Sequence, residues 1–145
     1  MKRKFAYIAL GTTTILMCFL LAADLCTQAS DVPYIAFSSK RNENYDIYMM
    51  DINGKNLQQL TDHFADETYP TFSPDGQRMA YVSSWDGNED IYVMNLNTKV
   101  SERLTNHLAR DNNPAWSPDG RWIAFVSERA GTLDIYKIQV SFSAR

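Results

Sequence analysis

Cysteine is scarce in this sequence of 145 residues: Cys18 and Cys26 are the only two, and both lie within the first 29 positions. Disulfides therefore cannot hold the remainder together, and its stability has to come from packing. An excess of basic charge is also missing, with 14 Lys and Arg against 17 Asp and Glu and a net charge of −3. Phosphate contacts from Lys and Arg dominate nucleic-acid affinity. The basic residues here are few and scattered, which excludes nucleic acid as a partner. No Gly-x-Ser-x-Gly elbow occurs, and a Ser-His-Asp set needs a scaffold that positions it. The sequence is therefore expected to be no enzyme and to need no cofactor. Helical periodicity is absent after Ala29, which leaves strands as the building elements.

What is present begins with a leader. Met1-Lys2-Arg3-Lys4 carries three positive charges and runs into an apolar stretch from Phe5 to Ala23, with no charge until Asp24. This is the pattern of a secretory signal peptide. Thr27-Gln28-Ala29 offers small residues for cleavage after Ala29, and Ala23 is a second place for it. The apolar stretch also falls inside the roughly 17 to 25 residues that cross a bilayer, so an uncleaved membrane anchor over residues 5–23 is the other reading. The Gly11-Thr12-Thr13-Thr14 segment makes a weak centre for such a span. Lipidation is rejected, because Met17 and Leu25 stand before the cysteines where bacterial lipoproteins carry a small residue. Residues 1–29 are thus expected to form a signal helix, and residues 30–145 a periplasmic or secreted domain. Without the leader, 14 basic and 17 acidic residues become 11 and 16, a net charge of −5.

The domain is built from a repeat. Ile35-Ala36-Phe37, Met79-Ala80-Tyr81 and Ile123-Ala124-Phe125 are each separated by 44 residues, as are Asp46-Ile47-Tyr48, Asp90-Ile91-Tyr92 and Asp134-Ile135-Tyr136. Ser73-Pro74-Asp75-Gly76 returns as Ser117-Pro118-Asp119-Gly120, and Leu60-Thr61 as Leu104-Thr105, in the same register. A period of 40 to 45 residues means helical pairs or four-stranded propeller blades. The short units rich in branched and aromatic residues, bounded by Gly, Asn and Asp, select strands. Pro74 and Pro118 pre-set a turn, Asp75 and Asp119 accept backbone amides within it, and Gly76 and Gly120 supply its left-handed residue. The fold expected is all-β: a partial β-propeller of about two and a half four-stranded blades, in repeat segments of about 34–61, 69–105 and 113–139. Ten strands are expected, grouped three, four and three, the fourth strand of the middle repeat near Arg103-Leu104-Thr105.

The run Leu104-Thr105-Asn106-His107, Asp111-Asn112-Asn113-Pro114-Ala115-Trp116-Ser117-Pro118-Asp119-Gly120, Ile123-Ala124-Phe125 and Asp134-Ile135-Tyr136 resembles the TolB-like β-propeller repeat. The likeness spans residues 34 to 139. It implies a periplasmic propeller that works with a peptidoglycan-associated lipoprotein in the cell envelope. It is also similar to the gating propellers of prolyl-oligopeptidase-like peptidases.

Several residues are singled out against this frame. His63 and His107 share a repeat column, with Glu67 and Asp111 four positions on in each case. These loops join the outer strand of one blade to the inner strand of the next, so the four side chains could line a binding face, or the acids could order the loops. The spacing carries no metal-specific geometry, and no metal is expected. Trp85 stands where the other repeats have Arg41 and Arg129 and is expected to face solvent on the same surface. Asp46, Asp90 and Asp134 are expected to cap backbone donors or to pair with Arg41 and Arg129. Phe72 and Trp116 are expected to pack between blades. The functional expectation is a non-enzymatic binding module of the envelope that presents its loops to a protein or other envelope partner. The alternative is a remnant of a longer propeller with no activity of its own. Self-assembly that completes a propeller is open in both readings.

Overall fold

Alternating branched and aromatic residues become strands wherever the repeat places them, and a computed structural model describes residues 33–41 and 43–141. The leader, whether signal peptide or anchor, lies outside the described residues. Among the described residues ten strands form three antiparallel meanders. The first holds β1 (Tyr34–Lys40), β2 (Tyr45–Asp51) and β3 (Gln58–Gln59). The second holds β4 (Glu67–Phe72), β5 (Arg78–Ser83), β6 (Asp90–Asn95) and β7 (Ser101–Arg103). The third holds β8 (Asp111–Trp116), β9 (Trp122–Ser127) and β10 (Asp134–Gln139). The expected grouping of three, four and three is therefore observed. The outer strand of the middle sheet ends at Arg103 because the amides of Leu104 (2.8 Å) and Thr105 (3.3 Å) both donate to the Ile91 carbonyl and take the chain out of the ladder.

The Ser-Pro-Asp-Gly turns are as the sequence requires. Ser73 and Ser117 hydroxyls donate to Asp75 and Asp119 at 2.5 and 2.6 Å, and the amides of Gln77 and Arg121 reach the same carboxylates at 3.0 Å each. Gly76 and Gly120 stand at φ of 65° and 68°, where a Cβ is penalised. The Ser117 hydroxyl, then the Arg121 amide and guanidinium, hold the Asp119 carboxyl down at about 2.

Inner strands β4 and β8 carry a feature that the sequence does not announce. Tyr69 and Asn113, the residues before Pro70 and Pro114, both stand at φ of 53°. The ladder shifts register between Thr68 and Thr71 and between Asn112 and Ala115. A proline has no amide to give the ladder, and a bulge re-aims the chain around it. The residues N-terminal to each bulge, Glu67 and Asp111, are buried.

Packing follows from the pleat, since alternate residues point to opposite faces. One face of each sheet presents the Ile/Met-x-aromatic and Tyr-x-Met/Ile columns, the other the Ala and Ile-x columns. Ile47, with Ala36 and Met49, meets Met79, Tyr81, Tyr92 and Met94 in one core cluster. Ala80, Val82, Ile91 and Val93 meet Ile123 and Phe125, flanked by Tyr136 and Ile138, in the other. Phe72 packs on the first cluster and Trp116 on the second, as expected of that column. The Trp116 indole also donates to the Thr71 carbonyl of the neighbouring sheet at 3.2 Å.

Candidate functional site

Because the strands run as meanders, the segments 61–66, 84–89 and 104–110 share one end of the stack, and the Ser-Pro-Asp-Gly turns lie at the other. Both histidines organise their own loops. Nδ1 of His63 accepts the Ala65 amide at 3.3 Å, and Nδ1 of His107 accepts the Ala109 amide at 3.0 Å. Their carbonyls accept from the side-chain amides of Asn44 (2.5 Å) and Asn88 (2.8 Å), again one repeat apart. Thr61 and Thr105 take the amides of Ile47 (2.8 Å) and Ile91 (2.9 Å) in the same way. The repetition of Thr and His in this column is thereby accounted for by loop order. The two rings differ in surroundings: His63 is half-buried and stacks on Trp85 at 3.8 Å between centroids, with Phe64 at 4.2 Å, whereas His107 is exposed.

Glu67 and Asp111 do not line an open face, which corrects the reading that places them beside the histidines as exposed binding groups. The bulge that follows each turns it inward, and both are buried. Arg129 donates to the two Asp111 oxygens at 3.0 and 2.8 Å while lying over the rings of Phe125 and Tyr136. Of the two roles open to Asp134, pairing with Arg129 is not made: Asp134 accepts from the Thr132 hydroxyl at 3.0 Å. Asp90 is held by Arg103 at 2.6 Å and by Thr105 at 3.0 Å, and Arg103 also reaches Asp86, to which the Tyr92 phenol donates. Arg41 lies over Tyr48 at 4.4 Å and not against Asp46.

One repeat earlier, the cations of this network are absent from their columns: Gln59 replaces Arg103 and Trp85 replaces Arg129. Asp46 receives only the Gln59 amide at 3.1 Å, and among the described residues Asp46 Oδ1 and Glu67 Oε2 are buried without a hydrogen-bond partner. Burial pushes the Glu67 carboxyl above the ordinary carboxylate range; the Thr61 hydroxyl opposes this, and the charges of Asp46 and Asp62 add to it. The folded chain thus holds this proton more tightly than the unfolded one, so stability is fully present below the unfolded value and falls as pH rises from there through the folded one. Glu67→Gln is expected to abolish that fall and to be about 1 kcal/mol more stable than the parent above it. Urea midpoints across pH 4 to 8 check this, and a variant that keeps the parent's slope would refute the assignment.

Sequence reasoning missed the most exposed part of the loops. Phe64 and Leu108, one repeat apart and each directly after a histidine, are 79% and 98% exposed, and Trp85 is 53% exposed. The signal was an apolar residue recurring in an otherwise polar loop. Trp85, His63 and Phe64 together make a continuous aromatic surface on loops that also carry the exposed Asp62, Asp66 and Asp86. Two clefts, of about 460 and 550 Å³, open elsewhere, and the residues lining them include no His, Cys, Asp or Glu. Among the described residues no group of three or more such side chains is placed to hold a metal ion. The arrangement offers apolar contact area on ordered loops.

Comparisons with known proteins agree with this architecture. A model of the TolB beta propeller domain matches residues 68–144. A protein from Agrobacterium tumefaciens assigned as TolB is 33% identical with a TM-score of 0.69, over 73% of this chain and 38% of that one. TolB from Acinetobacter baumannii is 28% identical with a TM-score of 0.61, over 74% and 30%. The chain thus spans well under half the length of either. A puromycin hydrolase, 14% identical with a TM-score of 0.55 over 66% of this chain and 17% of its own, shares the fold alone. No curated protein sequence matches the chain. With over half of its residues under the family model and its sheets superposing on TolB structures, the chain belongs to the TolB beta propeller domain family.

Proposed function

We propose that the chain is an exported, non-enzymatic module of the cell envelope that holds a protein partner at its inter-sheet loops, residues 1–29 serving as signal peptide and 30–145 as the working domain. The aromatic surface of Trp85, His63 and Phe64, with Leu108 in the neighbouring loop, carries this reading. Large apolar side chains on ordered loops are costly to leave in water and are where partners are gripped. Resemblance to TolB supports an envelope location and makes a peptidoglycan-associated lipoprotein the first partner to test. The domain's negative charge favours a partner face with basic groups around its apolar centre.

The double substitution Phe64→Ser with Trp85→Ser is expected to weaken capture of that lipoprotein at least tenfold, about 1.4 kcal/mol or more. Lys55→Ala with Lys99→Ala, at the opposite end, should leave it unchanged. Capture lost with the lysines and retained with the aromatics would place the partner at the other end. N-terminal sequencing of the envelope fraction tests export separately: a chain beginning after Ala29 supports cleavage, and intact Met1 in the membrane supports the anchor. A second reading, a segment of a longer propeller with no activity of its own, is favoured by the 38% and 30% of the TolB structures that the chain spans. Absence of any captured partner by parent and variants alike would support it.

A further inference from the structure

The turn between β2 and β3 takes no part in the binding loops, and it carries a reactive pair. Asn53-Gly54 is the one Asn-Gly step in the sequence. Both residues are exposed, as are their neighbours from Ile52 to Gln59. A Cβ added at Gly54 would meet no atom within 4 Å beyond its own chain neighbours, so water reaches the peptide bond freely. Among the described residues the Asn53 side-chain amide makes no hydrogen bond, while its backbone amide donates to Asp51 Oδ1 at 2.9 Å. Asn44 and Asn88, by contrast, each tie their side-chain amide to two backbone carbonyls.

The next repeat supplies a comparison. Asn97 stands in the column of Asn53 and is also exposed, but Thr98 follows it. Asn95 Oδ1 accepts the amides of Asn97 at 2.9 Å and Thr98 at 3.1 Å, so this turn too is held by the side chain two residues before its asparagine. The branched Thr98 side chain crowds its own amide, where Gly54 leaves the amide open.

We infer that Asn53 is a site of spontaneous deamidation in the folded chain, with its side-chain carboxamide as substrate and the Gly54 amide as nucleophile. The Gly54 nitrogen gives its proton to water or hydroxide and bonds to Cγ of Asn53. The carboxamide C–N bond breaks, ammonia leaves, and a succinimide ring remains. Water then opens either ring carbonyl, and nothing is oxidised or reduced. One product is aspartate. The other is isoaspartate, in which the main chain runs through the former side chain and is longer by one methylene. The Gly54 amide donates to the Asp51 carbonyl at 2.9 Å, and this bond opens as the ring closes; glycine offers no side chain to obstruct that movement.

The consequence is local and follows from Asp51. Its carboxylate is 5% exposed and holds the turn through the amides of Asn53 and Lys55 and the side-chain amide of Asn56. Either product sets a second negative charge beside it, and isoaspartate also moves the residue-53 amide off Oδ1. β3 has only two residues, paired as Tyr48↔Gln59 and Met49↔Gln58, so little holds it once the turn opens.

The test ages the full chain, folded, at mildly alkaline pH and maps it with trypsin and mass spectrometry. Asn53 should convert to a mixture of aspartate and isoaspartate roughly tenfold or more faster than Asn97 changes, a barrier difference of about 1.4 kcal/mol. Asn53→Gln, which would have to close a larger ring, should keep its amide. A protease that cuts at apolar residues should cleave the aged chain at the exposed Ile52 or Leu57 faster than the fresh one. Asn53 left intact in the folded chain while the urea-unfolded chain converts would mean that the turn protects it. Equal rates at 53 and 97 would mean that glycine plays no part, and either result overturns the inference. An aged chain as resistant as the fresh one would overturn the loosening of β3. Partner capture at the aromatic loops, at the other end of the stack, should not change with age, so the outcome is independent of the function proposed for them.

Discussion

Arg129→Ala is expected to cost the domain about 3 kcal/mol or more, a large part of the whole stability of a chain this size. The guanidinium serves four side chains at once. It holds both oxygens of Asp111, whose side chain has no exposure, it donates through Nε to Ser127 at 3.0 Å, and it covers the rings of Phe125 and Tyr136. Truncation leaves a buried carboxylate uncompensated, which costs far more than the pair contributes when intact. Arg129→Lys should recover only part of the loss, because an ammonium group cannot grip two oxygens in one plane. Arg129→Met combined with Asp111→Leu should come close to the parent, since the charge and its counter-charge leave together. Urea midpoints at neutral pH report all three. A lone alanine variant as stable as the parent would mean that Asp111 finds water or another donor.

Ile91→Ala should cost about 2 to 5 kcal/mol. This side chain is wholly buried between the second and third sheets, with Ala80, Val82, Val93, Ile123 and Phe125 around it. Its backbone is fixed independently: the amide donates to the Thr105 hydroxyl at 2.9 Å, and the carbonyl accepts from Leu104 and Thr105. The surroundings therefore cannot collapse by moving the strand, and the cavity stays open. Ile91→Val, removing one methylene, should cost about 1 kcal/mol. Calorimetric or denaturant unfolding of the pair measures the gradient, and equal midpoints for valine and alanine would show that the site relaxes.

The sheets, their grouping and the turns could be read from the sequence because a repeat reports the same backbone requirement several times over. Ser-Pro-Asp-Gly at 73–76 and 117–120 has one stable conformation, and the structure adopts it twice. Side-chain pairing was much less legible. The sequence leaves Asp134 either to cap backbone donors or to pair with Arg129, five residues away, and Arg129 reaches Asp111 instead, eighteen residues back. Asn113 stands in the left-handed region where the β8 ladder shifts register; asparagine suits that conformation, but nothing in its identity says which cation Asp111 will meet. The same bulge at Tyr69 takes Glu67 out of the candidate site. The exposed pair Phe64 and Leu108 is legible in the column alignment as an apolar residue recurring in a polar loop.

The nearest-neighbour arrangement of the three sheets has a further consequence. Among the described strands, those of the first sheet touch only the first and second, and those of the third only the second and third. Such a stack behaves as a short one-dimensional array, in which each end unit is held through a single interface and the middle one through two. Opening of an end sheet in a lone chain then requires the loss of one interface, while β5 and β6 become accessible only when both are gone. Amide protons should therefore be protected in a gradient that peaks in the middle sheet, and the outer sheets should exchange through partial openings well below the free energy of global unfolding.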